Sequence, residues 1–181
     1  MLFYLEGSIF CLSAYFLGSI PFGLVVSWLF GAQDPRQGGS GNIGFSNVLG
    51  LSGSKIAILT LIGDLGKGWL VGGIAAIFFY DNIWGLLGLL AVTLGHIFPV
   101  FLKFHGGKGV ATSLGGILGY HFDLGIILVT IWLIIVAVSK YASAGALIAF
   151  IFFPIISWIM EPKIAFLVFS VLLSAIIMMK H

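Results

Sequence analysis

An all-α, polytopic membrane bundle is what this sequence predicts, and three observations predict it. Of 181 residues, 60% are hydrophobic and only 8% are charged, where a soluble domain carries about 25% charged residues; too little polar surface remains to cover a water-soluble fold. Apolar runs of span length recur from the first residues to the last. The few Lys and Arg residues fall in alternate connections, as they do when short basic loops stay in the cytoplasm.

A bilayer core takes about 20 apolar helical residues, fewer where a span is packed inside a bundle. Cutting at the polar clusters gives seven spans. The first runs from Gly7 to Phe30 with a kink at Pro21, and the loop Gly31 to Asn47 follows. The second, Val48 to Tyr80, is too long for one crossing and is expected to break at its glycines. Ile83 to Leu102 comes next, then the loop Lys103 to Gly109. Val110 to Tyr120 is short, a half-span joined near Asp123 to Leu124 to Val138. A turn at Lys140 to Ser143 leads to Ala144 to Met160, and Glu161-Pro162-Lys163 leads to the last span, Ile164 to Met179. With the amino terminus outside, Arg36, Lys55, Lys103, Lys108, Lys140 and Lys180 all reach the cytoplasmic face; Lys163 alone lies outside, with Glu6, Asp81, Asp123 and Glu161. The alternation holds only for an odd number of crossings, which puts the carboxyl terminus in the cytoplasm. Because the first charge is Glu6 and apolar segments persist to the end, the first segment reads as a retained span, not a cleaved signal.

The same numbers exclude other classes. A net charge of +2, scattered along the chain, implies neither nucleic acid nor a large acidic partner. Cys11 has no second cysteine to pair with and reads as a packing residue. No His-Glu-x-x-His, Gly-x-Ser-x-Gly or cysteine-metal pattern appears, so no metal site is expected. Mid-span glycines such as Gly68 and Gly72 read as close helix contacts. The sequence does not set an oligomeric state.

Chemistry concentrates in two loops. In Asp34-Pro35-Arg36-Gln37-Gly38-Gly39-Ser40-Gly41-Asn42-Ile43-Gly44-Phe45-Ser46-Asn47, glycines alternate with Ser and Asn ahead of a helix start. Backbone N–H groups turned toward one point in this way hold anions, phosphate above all; a flexible linker is the plainer alternative. The second loop, Lys103-Phe104-His105-Gly106-Gly107-Lys108-Gly109, repeats the device and adds an ammonium. It is not a P-loop, since the spacing differs and no strand precedes it. Both loops fall on the cytoplasmic side, so one phosphorylated ligand can meet both. Within the spans, Asp64 and Lys67 are three apart and share a helix face; a buried structural pair and a ligand-reaching lysine both fit. His96, in Gly95-His96-Ile97-Phe98-Pro99, reads either as a histidine bonded to a neighbouring helix or as a site residue close to the second loop.

Three segments taken together resemble the bacterial acyl-phosphate-dependent glycerol-3-phosphate acyltransferases: Gly18-Ser19-Ile20-Pro21-Phe22-Gly23 running into Asp34-x-Arg36 and Gly39-Ser40-Gly41-Asn42-Ile43-Gly44 with Asn47; Asp64-x-x-Lys67-Gly68; and Gly95-His96-x-Phe98-Pro99 with Gly106-Gly107-Lys108-Gly109-Val110-Ala111-Thr112. The similarity covers nearly the whole chain, with the segments in order. It implies one integral membrane acyltransferase domain, residues 1–181, in the bacterial inner (plasma) membrane, with its site facing the cytoplasm. It also implies transfer of a fatty acyl group from acyl phosphate to the 1-hydroxyl of glycerol 3-phosphate, with no cofactor. By the resemblance Ser40, His96, Lys108 and His181 are catalytic; Arg36, Gly39, Gly41, Asn42, Asn47, Gly106, Gly107, Gly109 and Ser143 bind substrate phosphate; and Asp64 and Lys67 support them. His96, His105, His181 and a substrate phosphate oxygen all stand as proton acceptors. Two departures are visible: Gly50 stands where the family usually has an arginine, and the sequence stops at His181, before the family's terminal polar segment. A catalytically impaired relative, or a transporter of a phosphorylated solute using Asp64, Lys67 and His96, are the alternatives.

Overall fold

The computed structural model describes residues 2–181, and among them helices are joined by turns with no strand. Helix α1, Leu2–Gly18, stops because Pro21 has no N–H to continue the ladder; α2, Phe22–Leu29, leaves at an angle of 43°. The expected kink is thus a full break, and the span begins earlier than Gly7. A 3-10 turn at Pro35–Gln37 leads to α3, Phe45–Ser52, and α4, Ser54–Phe78. The long second segment breaks, as expected, at a glycine: Gly53 sits at φ 82, a conformation closed to most side chains. Helix α5, Ile83–Ile97, ends ahead of Pro99 rather than at Leu102, and residues Val100–Leu102 form a second 3-10 turn.

Helix α6 has only the 11 residues Val110–Tyr120. It does not run on into α7, Phe122–Ser139; the chain reverses at His121 and the two helices pack antiparallel, with Gly125 directly against the Leu118 backbone. Helix α8, Ala142–Met160, starts two residues earlier than expected, so Ser143 lies in its first turn and not in a loop. Helix α9 is Ile164–Met179. Four helices are long and apolar enough to cross a membrane, five if the bent pair α1 and α2 counts as one; α6 and α9 are apolar but shorter. The remaining surface is correspondingly greasy: Ile134, Ile155 and Ile159 on α7 and α8 are more than half exposed.

Glycines set the tightest contacts. Gly68 and Gly72 of α4 lie on the carbonyls of Thr112 and Gly116 of α6, while Gly115 and Gly119 of α6 lie on those of Leu65 and Trp69, so a methyl at any of the four would overlap backbone. This is the small-residue packing expected where lipid offers no hydrophobic drive between helices. Behind it, Phe150, Phe153, Phe166 and Phe169 join α8 to α9 with edge-to-face rings, Phe153 standing 88° to Phe169. The turns gather at two opposite ends. One holds the 34–47 and 106–109 loops, the start of α8 and His181, which border a single cavity. The other holds Tyr80, Asp81, His121, Glu161 and Lys163.

Candidate functional site

The cavity encloses about 560 Å³. One wall is made by Ser40, Asn42 and the first turn of α3; a second by Lys108, Gly109 and the first turn of α6; a third by Ala142 and Ser143 at the start of α8, with His181 beside them. Three helix amino termini therefore meet one space. None has a side-chain cap: Gly44, Gly109 and Tyr141 occupy the capping positions and bond nothing there. First-turn N–H groups have no partner within their own helix and carry the positive end of its dipole, so an uncapped start is a donor set for an anion. The rest of the lining is largely apolar, made of Leu61 and Leu65 of α4, Leu114 of α6, and Val129, Trp132 and Leu133 of α7. Trp132 is held by its Nε1–H, which donates to the Ala142 carbonyl at 3.2 Å.

The glycine loops spend part of their donors on the fold itself. Several of their N–H groups are already engaged: Ser40 donates to Asn47 Oδ1 at 2.9 Å, Gly41 to the Gly38 carbonyl at 3.0 Å, and Gly106 and Gly107 to the carbonyls of Ile97 and His96 at 3.1 Å each. The helix turns that follow add the open donors of their first residues. Asn47 borders the cavity, yet its Nδ2 donates to the carbonyls of Pro35, Gly38 and Asn42. It shapes the loop from within, and Gly39 is glycine because a Cβ there would overlap Asn47 Oδ1. Gly39, Gly41, Gly106 and Gly107 do not border the cavity; they set the course of the chain around it.

Arg36 lies outside the cavity, with its guanidinium on Asp34 at 2.6 to 3.2 Å. Its hydrogen bonds hold the Asp34 carboxyl below the usual carboxylate range, and the guanidinium is raised in return. Lys108 is half-buried, borders the cavity and forms no ion pair among the described residues. His181 bonds the Ile177 carbonyl through Nδ1 at 2.9 Å. Burial pushes its imidazole below the ordinary histidine range; the nearby Lys108 ammonium adds to that, and the Ile177 carbonyl opposes it. Asp64 and His96 border the cavity from within the helices, and Lys67 stands just behind them, 3.0 Å from Asp64. Gly50 is exposed on α3 with nothing within 4 Å of where a side chain would begin. Ser46 and the Trp132 wall were not singled out by sequence, because a serine in a helix turn and a tryptophan in a uniformly apolar run carry no local signal.

A cavity with one end built for anions and one wall built for hydrocarbon defines a membrane protein that handles a phosphorylated, lipid-like molecule. Residues 8–181 match the sequence profile described as glycerol-3-phosphate acyltransferase, and the chain belongs to that family. It is 42% identical over 175 residues to a glycerol-3-phosphate acyltransferase of Nitrosomonas eutropha, covering 93% of this chain and 86% of the relative. It is 47% identical over 150 residues to one of Ralstonia pickettii, covering 81% and 72%. Among solved structures it is similar to PlsY (YgiH), described as an integral membrane glycerol 3-phosphate acyltransferase. The glycerol 3-phosphate form matches with a TM-score of 0.92 at 33% identity, and the lysophosphatidic acid form with 0.88 at 32%; each match covers 97% of this chain and 88% of the other. The family read from the two loop motifs is the family these comparisons return.

Proposed function

We propose that this protein moves a fatty acyl group from acyl phosphate to the 1-hydroxyl of glycerol 3-phosphate, releasing lysophosphatidate and inorganic phosphate. The bond between the acyl carbon and the phosphate oxygen breaks, an ester to the glycerol oxygen forms, and the hydroxyl proton leaves, on balance, with the released phosphate. The observation that carries this reading is the convergence of the uncapped starts of α3, α6 and α8 on a cavity otherwise lined largely by apolar side chains. Two phosphates repel each other; three sets of N–H donors and the Lys108 ammonium offset that repulsion. They also stabilise charge arriving on the departing phosphate. Acyl phosphate is already activated, so the task left to the protein is mainly to hold the hydroxyl near the carbonyl. Ser40, Asn42 and Ser143, all bordering the cavity, supply further hydroxyl and amide partners. No cofactor enters.

The whole chain acts as one seven-span domain of the bacterial inner membrane, amino terminus outside, with the cavity open to the cytoplasm, where both phosphorylated substrates are soluble at their head groups. The support is the distribution of charge. Six of eight basic residues connect helices at the cavity end, Lys67 is internal, and only Lys163 sits at the other. The test is reconstitution of purified protein in lipid with acyl phosphate and glycerol 3-phosphate. Release of lysophosphatidate with one equivalent of phosphate is expected; binding without any product makes this chain a silent relative, and passage of phosphorylated solute across the bilayer makes it a transporter.

A further inference from the structure

Behind the cavity wall lies a buried charge cluster whose proton inventory decides the form of His96. Lys67 and His96 are nearly inaccessible, at 3% and 5% exposure. The break before Pro21 leaves the carbonyls of Gly18, the last residue of α1, and of Ile20 in the turn without a backbone partner, and Lys67 Nζ donates to both at 2.8 Å. Its third hydrogen bond is to His96 Nδ1 at 3.0 Å. Asp64 Oδ1 is 3.0 Å from Nζ and 3.3 Å from Nδ1, so its charge balances the ammonium. An ammonium has three protons and no lone pair, so the bond between Lys67 and His96 runs one way only: Nζ donates and Nδ1 accepts.

From this we infer that Lys67 holds His96 as the neutral tautomer with its proton on Nε2, and that this N–H is a hydrogen-bond donor to a phosphate oxygen of the bound substrate, not the base of the reaction. A doubly protonated ring would lose the Lys67 bond and face an ammonium at 3.0 Å. Neutral imidazole in such a setting acts as an electrophilic donor. The ring's Nε2 edge rests against Gly107, where any Cβ would overlap it, directly beside Lys108. Glycine at 107 thereby leaves the donor edge free at the turn that carries the ammonium. The charged and titratable groups around the ring are Asp64 and Lys67 from α4, Lys108 from the turn, and His181 bordering the same cavity. Lys67 is a positioning residue here, because it acts through His96.

The inference rests on the acyltransfer reading for its substrate but not for its tautomer, and the test separates the two. Carbon and nitrogen chemical shifts of labelled histidine in the intact protein, assigned by replacing His105, His121 and His181 in turn, read the tautomer of His96 directly. A neutral ring protonated on Nε2 is expected, converting to the Nδ1–H form bonded to Asp64 in Lys67→Met. Glutamine places an amide N–H where Nε2 stands and cannot take a proton, so His96→Gln keeps turnover within about tenfold of the parent while His96→Leu loses about a hundredfold. The loss falls on the KM for glycerol 3-phosphate if the acceptor's phosphate is the partner, and on kcat if the departing phosphate is. An Nδ1–H or imidazolium ring in the parent protein overturns the inference, as does equal loss in the Gln and Leu variants. A parent protein with the expected tautomer and no lysophosphatidate instead defeats the acyltransfer reading alone.

Discussion

The two ends of the bundle use the same residue types to opposite effect. At the end away from the cavity, the starts of α5 and α7 are closed, that of α9 being uncapped: Asn82 Oδ1 accepts from the Trp84 N–H at 3.1 Å, and His121 Nδ1 from the Leu124 N–H at 3.4 Å. The charged groups there are engaged with one another. Lys163 pairs with both Asp81 and Glu161, which raises its ammonium well above the usual lysine range, and Glu161 also takes His121 at 3.6 Å and the Tyr80 hydroxyl at 3.4 Å. At the cavity end, glycine or tyrosine stands at the cap positions of α3, α6 and α8, and Lys108 forms no ion pair among the described residues. A side-chain cap contributes about 1 kcal/mol to a helix, so three open starts forgo stability that α5 and α7 keep at the far end. The difference separates fastening from binding: polar groups that satisfy one another hold turns together, and those left open wait for a ligand.

The comparison depends first on the frame that brings the open starts together. Gly68→Leu is expected to pry α4 from α6, costing about 3 kcal/mol or more and the cavity with it, whereas Gly73→Leu, with nothing within 4 Å, is tolerated; thermal unfolding in detergent compares the two. Gly44→Asp closes one open start. Residue 44 has φ −85 and ψ 172, suited to a capping side chain, and only Asn42 Oδ1 lies within 4 Å, at 3.5 Å. The variant should gain about 1 kcal/mol in stability and lose about a hundredfold in glycerol 3-phosphate affinity through like-charge repulsion. A gain in stability with affinity intact would remove α3 from the phosphate site. The smallest effect expected is from Gly50→Arg, which adds a guanidinium one turn beyond Asn47 in open space. Apparent affinity for glycerol 3-phosphate, read from KM, should rise a few-fold; no change would mean that another group already fills the role.

Most of the architecture was legible because the signals are local. Pro21, Gly53 and Pro99 end helices through their own backbone chemistry, and Gly68 and Gly72 announce a close contact by their size. What was not legible follows from pairing at a distance. The loop glycines predict N–H groups turned toward a ligand, but whether those groups are open depends on Asn47 and on the carbonyls of Ile97 and His96, which only folding brings near. Arg36 looks like a phosphate partner until Asp34, two residues away, takes it. The apolar wall of Val129, Trp132 and Leu133 cannot be told from lipid-facing residues in a helix that is apolar all round. Conversely, Ser40, Asn42, Lys108, Ser143 and His181, spread over 141 positions of sequence, do meet at one cavity.

The most direct measurement is the dissociation constant of glycerol 3-phosphate for the reconstituted protein carrying Lys108→Ala, set beside the same constant for Lys163→Ala. The account predicts a weakening of tenfold to a hundredfold at Lys108, about 1.5–3 kcal/mol for one charge-assisted bond, and no change at Lys163. Equal constants for the two variants would contradict it.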